Sequence, residues 1–172
     1  MNKVKRVLFV CLGNTARSPV AEYLARYYAE MNNADLIFSS AGFINAFSYM
    51  QRESQEYLNL KNINHSDFHP QLITRSLLEN QDLILTMEKS HSKDIISEYR
   101  NIPNIEKKTY TLKEFNGQTQ DLDIIDPYYT STETYKKVLK IIDDNVIKAI
   151  QKIIDENKKK SGYKLELGND MV

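Results

Sequence analysis

The chain holds one cysteine in 172 residues, Cys11. A single thiol excludes an intramolecular disulfide and any cysteine-rich zinc site. It fits a reducing, cytoplasmic setting. Net charge is missing too, because 23 Lys and Arg balance 23 Asp and Glu. A chain so balanced is not expected to present a general surface for nucleic acid or an anionic membrane. No segment approaches the roughly 20 apolar residues that a membrane helix needs. The start, MNKVKRVLFVC, imitates a targeting segment. Its apolar stretch, Val7 to Leu12, is shorter than a signal core, and Val10 is not the small residue that cleavage requires. Export is therefore not expected. Internal repeats and interdomain linkers are also absent, and the length suits one domain with a substantial core.

What is present is an alternation of strand-length apolar runs and helix-length amphipathic stretches. This predicts an α/β fold: a single three-layer domain, with a central four-stranded parallel sheet and helices on both faces. Strands are expected over Val4–Val10, ADLIFSSAG at 34–42, QDLILTM at 81–87 and, more weakly, KKTYTL at 107–112. Ser18 reads as a helix N-cap with Pro19 at the first helical position, and the helix continues to about Asn32. Further helices are expected over Tyr49–Leu60 and 90–99, and a long loop over Lys113–Tyr129. Thr130 and Glu133 form a candidate capping box for the last helix. Its apolar stripe is Tyr135, Val138, Leu139, Ile142, Val146, Ala149, Ile150 and Ile153. The domain is expected to span residues 1–157. Residues 158–172, KKKSGYKLELGNDMV, read as a flexible, solvated tail in which YKLEL offers at most an edge strand.

Chemistry concentrates in VLFVCLGNTARSPVAEYL, beginning at Val7. Cys11 stands at the carboxyl end of the first strand, where open α/β sheets place ligands. Leu12, Gly13, Asn14, Thr15 and Ala16 then turn the chain into a helix whose free N–H groups point back at the turn. Such a turn is an anion site and makes this stretch a candidate phosphate-binding loop. Gly13 allows close backbone approach, and Asn14 tolerates a left-handed conformation. Arg17 adds a guanidinium fork matched to two phosphate oxygens. The same donors, with Ser18, stabilise a thiolate. A nucleophile at the floor of a phosphate cradle suits phosphoryl transfer through a phosphocysteine. The competing reading is a small buried hydrophobe at a strand end. An arginine in a helix's first turn is disfavoured by the helix dipole, so its position asks for a reason.

The stretch resembles the signature of the low molecular weight protein tyrosine phosphatases. SSAG at 39–42, DLILTM at 82–87, YTLKEF at 110–115 and DPYY at 126–129 stand in that family's order, so the resemblance covers about residues 3–155. It implies Cys11 as nucleophile, Arg17 as phosphate ligand and Ser18 as stabiliser of the thiolate leaving group. It further implies Asn14 holding the loop with Ser40 as partner, and Asp126 as general acid. Asp121, Asp123 and Asp126 are all candidate acids on their own. Only Asp126 precedes a proline, which restricts its backbone, and only it matches the family's Asp-Pro pair. Leu12, Tyr128, Tyr129 and Phe43 are candidate walls of the substrate pocket, with Phe47 and Tyr49 as looser candidates. His65, His69 and His91 lack metal-ligand company and receive no role; no metal and no cofactor are expected. The expected partners are a phosphorylated protein as substrate and inorganic phosphate as product or inhibitor.

Two departures from the family pattern bear on function. Many members carry a second cysteine beside the loop arginine; here that position is Ala16. The implied chemistry survives, but a protective disulfide within the loop does not. Arsenate reductases of this fold pass oxidation along several cysteines, so a single one argues against that activity. Thr15 stands where the tyrosine phosphatases usually have a bulky aliphatic residue and the protein-arginine phosphatase branch has threonine. DPYY favours phosphotyrosine, whereas Thr15 and YTLKEF favour phosphoarginine. Phosphotyrosine is placed first. A non-catalytic phosphate-binding module would use the same cradle but would have no need of Asp126.

Overall fold

A computed structural model describes residues 3–169, the last seven as backbone. Four parallel strands form one sheet in the order β2-β1-β3-β4: β1 Arg6–Cys11, β2 Ile37–Gly42, β3 Leu83–Thr86 and β4 Thr109–Thr111. Val7 aligns with Phe38 on one side and Leu83 on the other, and Cys11 aligns with Gly42. Because β2 and β3 flank β1 on opposite sides, the strand order reverses at β1. The crevice beyond the carboxyl ends of β1 and β3 is the place where such sheets bind ligands.

Alternation along β1 divides its side chains between two cores. Val7, Phe9 and Cys11 face one layer with Val20 and Leu24 of α1 (Ser18–Met31) and the whole expected apolar stripe of α6 (Thr132–Asn169). Leu8 and Val10 face the other layer, with Leu78 of α3 (Arg75–Glu79) and Ile95 of α4 (Lys89–Glu98). Burial on both faces explains why β1 reads as an unbroken apolar run rather than an alternating one. The α2 helix (Arg52–Leu60) packs beside α1 and α6.

Several sequence expectations need correction. Ser18 is the first residue of α1 rather than its cap; Arg17 holds the cap position and makes no side-chain capping bond. The Ser18 hydroxyl is engaged inside the loop, which removes it from capping. At α6 the cap is Ser131, whose Oγ accepts from the Thr134 N–H at 3.2 Å, while Thr130 Oγ1 donates to the Pro127 carbonyl. The expected Thr130–Glu133 box is therefore displaced by one residue. Helix α6 continues through Asn169, so the backbone of 158–169 is helical and YKLEL is no edge strand. That stretch has no proline, and its four Lys, two Leu and one Glu, all good helix formers, outweigh Gly162 and Gly168. Residues 170–172 lie outside the described residues.

Two short helices were not anticipated. One is α3, capped by Thr74 Oγ1, which accepts from the Leu77 N–H at 3.1 Å. The other is α5 (Leu112–Phe115), opened by a reciprocal capping box between Thr111 and Glu114 inside YTLKEF. Among the described residues no helix is long and apolar enough to cross a membrane.

Candidate functional site

The loop after β1 closes around the sulfur of Cys11. The Asn14 N–H donates to Sγ at 3.3 Å, and Ser18 Oγ lies 3.0 Å from it. Asn14 sits at φ 52°, in the left-handed region that asparagine enters more readily than most residues. Its side chain is buried and fully used. Nδ2 donates to Ser18 Oγ at 2.9 Å and to Ser40 Oγ at 2.8 Å, and Oδ1 accepts from the Gln71 N–H at 2.9 Å. Asparagine at this position thus ties β2 and the loop before α3 to the floor of the site.

Gly42 supplies the space for this arrangement. A Cβ built there would lie 2.8 Å from the Asn14 amide nitrogen and 2.9 Å from the Leu12 carbonyl oxygen. The loop can cross the end of β2 only over a residue without a side chain. Immediately after it, the Phe43 and Ile44 N–H groups both donate to the Leu12 carbonyl, at 2.8 and 3.1 Å. On the opposite side, Gln51 N–H donates to the Thr15 carbonyl at 2.8 Å, and Ser54 Oγ to the Ala16 carbonyl at 2.9 Å. Ser54 also meets the Tyr135 hydroxyl at 2.8 Å, which joins the loop to α2 and α6. Burial pushes the Tyr135 phenol well above its ordinary value, so it stays a neutral hydrogen-bonding group.

Arg17 is 1% exposed. Its Nη1 donates to Glu88 Oε1 at 2.5 Å and to the Ile124 carbonyl at 2.7 Å, and its Nη2 donates to Asp126 Oδ2 at 3.1 Å. Its Nε is buried with no partner among the described residues. Glu88 holds the cap position of α4, two residues after β3, and Ile124 is held there by its own N–H bond to the Met87 carbonyl at 2.7 Å. The loop carrying Asp126 is thereby fastened to the end of β3. Of the three loop aspartates, Asp123 accepts from the Lys89 N–H at the start of α4, and Asp121 occupies a left-handed turn at φ 49°. Asp126 alone borders the pocket, and its Oδ1 accepts from the Tyr128 N–H at 3.1 Å.

That pocket, of about 400 Å³, has Cys11 and Arg17 among its lining and Asp126, Tyr128 and Tyr129 on one wall. A thiol, a guanidinium and a carboxylate face a single cavity, and one amide N–H and one hydroxyl meet the thiol. Such a group can hold a tetrahedral dianion and present a nucleophile and a proton carrier to it.

Comparison with known proteins agrees with this geometry. The sequence profile described as low molecular weight phosphotyrosine protein phosphatase matches residues 6–160. The chain belongs to that family. It is 35% identical over 132 residues to a low molecular weight protein-tyrosine-phosphatase of Staphylococcus haemolyticus, covering 77% of this chain and 88% of the relative. It is 34% identical over 134 residues to a protein-arginine-phosphatase of Bacillus subtilis, covering 76% and 85%. The crystal structure of a low molecular weight protein tyrosine phosphatase from T. tengcongensis superposes with a TM-score of 0.77 at 34% identity, covering 86% of this chain and 99% of the other.

Within this phosphatase fold, the opposite wall differs from expectation. Phe43 points away from the pocket and packs on the α3–α4 core, its ring 5.3 Å from that of His91. The wall is instead Ile44, Ala46 and Phe47, with Phe47 5.3 Å from the Tyr128 ring. Ala46 fits beneath because Gly13 leaves room; a Cβ on Gly13 would lie 2.8 Å from that of Ala46. Leu12 and Thr15 also line the cavity, and the Thr15 hydroxyl takes no hydrogen bond among the described residues. Tyr128 is partly exposed and Tyr129 projects almost fully from the rim.

Sequence reading did not single out Glu88, Glu22 or Gln71. Glu88 carried a faint signal, because it directly follows a buried strand at the end where such sheets bind ligands. Glu22 carried another, as an acidic residue one turn after Ser18 on the inward face of α1. Gln71 contributes its backbone N–H to Asn14 and its side-chain amide to the Ser40 carbonyl, both at 2.9 Å, and carried none. His91 is buried, with Nε2 3.9 Å from Glu88. Burial lowers its proton affinity first; Glu88 opposes that and Arg17 adds to it.

Proposed function

We propose that this protein hydrolyses phosphotyrosine in protein substrates through a phosphocysteine intermediate. In the first step the Cys11 thiolate attacks phosphorus and forms an S–P bond as the P–O bond to the tyrosine breaks. Asp126 gives its proton to the departing phenol oxygen. In the second step Asp126, now a carboxylate, takes a proton from water as that water attacks phosphorus. The S–P bond breaks, inorganic phosphate leaves, and Cys11 returns as a thiolate that accepts a hydrogen bond from Ser18. Arg17 and the loop N–H groups bind the phosphoryl oxygens in both steps.

The observation that carries the reading is the meeting of Cys11, Arg17 and Asp126 on one cavity whose walls include Tyr128 and Phe47. Aromatic faces on both sides suit a phenyl ring. The test uses an aryl phosphate and a phosphotyrosine peptide. Cys11→Ser is expected to lose turnover of both while still binding phosphate, and retained turnover would exclude the mechanism. The domain responsible is taken as residues 1–157, with the end of α6 outside it.

A second reading, phosphoarginine hydrolysis, is supported by the Thr15 hydroxyl on the pocket lining. The similarity to the protein-arginine-phosphatase of Bacillus subtilis supports it as well. A threonine hydroxyl can accept a guanidinium N–H where an aliphatic side chain cannot. Comparing phosphotyrosine and phosphoarginine peptides on the wild-type protein decides the order; higher kcat/KM on phosphoarginine would reverse it.

A further inference from the structure

Behind the phosphate loop runs a hydrogen-bond chain that ends on a buried carboxylate. Glu22 lies one turn after Ser18 in α1 and is 5% exposed. Its Oε2 accepts from Ser40 Oγ at 2.5 Å, and its Oε1 is paired with Arg26 one turn further along. Arg26 sits 4.6 Å over the Tyr23 ring and reaches Asp67 at 3.3 Å, and the Tyr23 hydroxyl donates to Asp67 as well. Burial pushes the Glu22 carboxyl above its ordinary value, while Ser40 and Arg26 act against that. A carboxylate so enclosed is tolerated when its oxygens are matched by donors. Here each oxygen has one.

The direction of every proton in the chain follows from the inventory of donors. The Gln71 backbone N–H can only donate, so it fixes Oδ1 of Asn14 on its side and turns the Asn14 amide hydrogens toward Ser18 and Ser40. Ser40 has one hydrogen of its own; receiving one from Asn14, it gives its own to Glu22. Ser18 likewise receives from Asn14, which leaves its own hydrogen for Cys11 Sγ at 3.0 Å.

We propose that Glu22 is a positioning residue for the phosphatase reaction: an ionised acceptor between Ser40 and Arg26 that keeps Ser40 turned as an acceptor for Asn14 and so steadies the Ser40–Asn14–Ser18 chain in which Ser18 presents its hydrogen to the Cys11 thiolate. The inference rests on the reading of Cys11 as nucleophile. Glutamine cannot take over, because Glu22 faces two donors and an amide offers one acceptor oxygen. Whichever way the amide turns, its NH2 group either opposes the Arg26 guanidinium or leaves the Ser40 hydrogen without its acceptor. A strained Ser40 holds Asn14 less firmly, and Asn14 is the group that obliges Ser18 to donate to sulfur. Cooperative polarisation along the chain works in the same direction. Arg26 balances the charge, so the carboxylate organises the site without repelling the thiolate.

The test is the rate of Cys11 alkylation by iodoacetate across pH, with and without phosphate, on the full chain. Wild type is compared with Glu22→Gln, Ser40→Ala and the double variant. Each single variant is expected to react about tenfold more slowly near about pH 6, the worth of one weakened hydrogen bond to a charged group. Near about pH 9, where the thiolate forms without help, the single variants should match wild type. The double variant should be no slower than either single one, because both act through the same chain. Equal slowing at both pH values would reduce Glu22 to a structural residue and overturn the proposal. Unchanged rates, or additive effects, would overturn it as well. A wild-type thiol that is not alkylated, or that phosphate does not protect, would instead overturn the nucleophile reading, and this inference with it.

Discussion

Asp126 Oδ2 accepts from Arg17 Nη2 at 3.1 Å, across 109 positions of sequence. The proposed acid is thus aimed by the same guanidinium that is proposed to bind phosphate. Glu88 and the Ile124 carbonyl hold the other arm of Arg17, so the fork cannot swing away from the loop. This division of tasks separates binding from proton transfer. Asp126→Asn keeps the volume and a hydrogen-bond acceptor for Arg17 but cannot supply a proton. It is expected to lower kcat on a poor leaving group such as an alkyl-substituted phenol by roughly 10²–10³-fold, within the range for general acids. Loss on a good leaving group such as a nitrophenol should be far smaller, and phosphate should inhibit as before. A leaving-group series measures this; equal losses across the series would assign the proton to another group.

Gly42 offers a test of the floor of the site without touching a reacting group. The atoms that a Cβ would meet there are backbone, at 2.8–2.9 Å, and backbone held by β1 and Asn14 cannot yield as a flexible side chain would. Gly42→Ala is expected to cost about 1–3 kcal/mol of stability through overpacking. It should also weaken phosphate inhibition, because the shifted atoms belong to the phosphate loop. Thermal unfolding and inhibition by phosphate read the two effects separately. A variant with wild-type stability and inhibition would show that the loop does not depend on this close approach.

The sequence disclosed the long elements and the local half of the site. The β1 and β3 runs are legible as unbroken apolar stretches, and the α1 pattern after Ser18 and the α6 stripe are long enough for burial to stamp a period on them. Helices α3 and α5 have five and four residues, too few for any period, and only their threonine caps announce them. Cys11, Asn14, Arg17 and Ser18 were legible because the loop is contiguous. Glu88 and Gly42 were not, because each acts by approaching the loop from another strand, and proximity of that kind leaves no mark on spacing. Phe43 was misplaced for a related reason. Where a strand ends, alternation no longer says which of two neighbours turns outward, and here Ile44 does so while Phe43 packs inward. Ser18 shows the limit of capping rules: the same hydroxyl can serve a helix N–H or a nearby sulfur, and only the fold decides.

Asp143 predicts how stability depends on acid. It lies on α6, buried, and accepts from the Tyr28 and Tyr57 hydroxyls while pairing with Lys61 at 2.9 Å, so that it joins α6 to α1 and to the end of α2. Burial by itself would raise its carboxyl, but Lys61 and the two phenols outweigh that and hold it below the ordinary carboxylate value. A group whose folded value is lowered stabilises the fold above its unfolded value and loses that contribution as pH falls through the folded one. Asp143→Asn is therefore expected to cost about 1.5–3 kcal/mol near neutral pH, the range for hydrogen bonds to a charged group. The gap between variant and wild type should narrow progressively below about pH 4, where an unfolded aspartate already binds its proton. Urea unfolding at three pH values across this range measures it. A gap that stays constant would mean that the carboxylate's charge contributes nothing.

Thr15 is the residue proposed to bear on the choice of substrate, and its backbone attachment does not depend on its side chain. Its carbonyl is held by the Gln51 N–H, an attachment that a change of side chain leaves in place. Isoleucine is one heavy atom larger than threonine, and Thr15→Ile exchanges a hydroxyl for an ethyl group on the pocket lining. A phenyl ring has no hydrogen-bond donor to miss that hydroxyl, whereas a guanidinium does. Thr15→Ile is therefore expected to lower kcat/KM for a phosphoarginine peptide by about tenfold, the worth of one hydrogen bond left unmade. For a phosphotyrosine peptide the value should hold or rise slightly, as apolar contact with the ring increases. Parallel assays on the two peptides read the ratio directly. If both activities fall together, the hydroxyl shapes the loop instead of choosing the substrate. If neither changes, the choice lies with the walls formed by Phe47 and Tyr128.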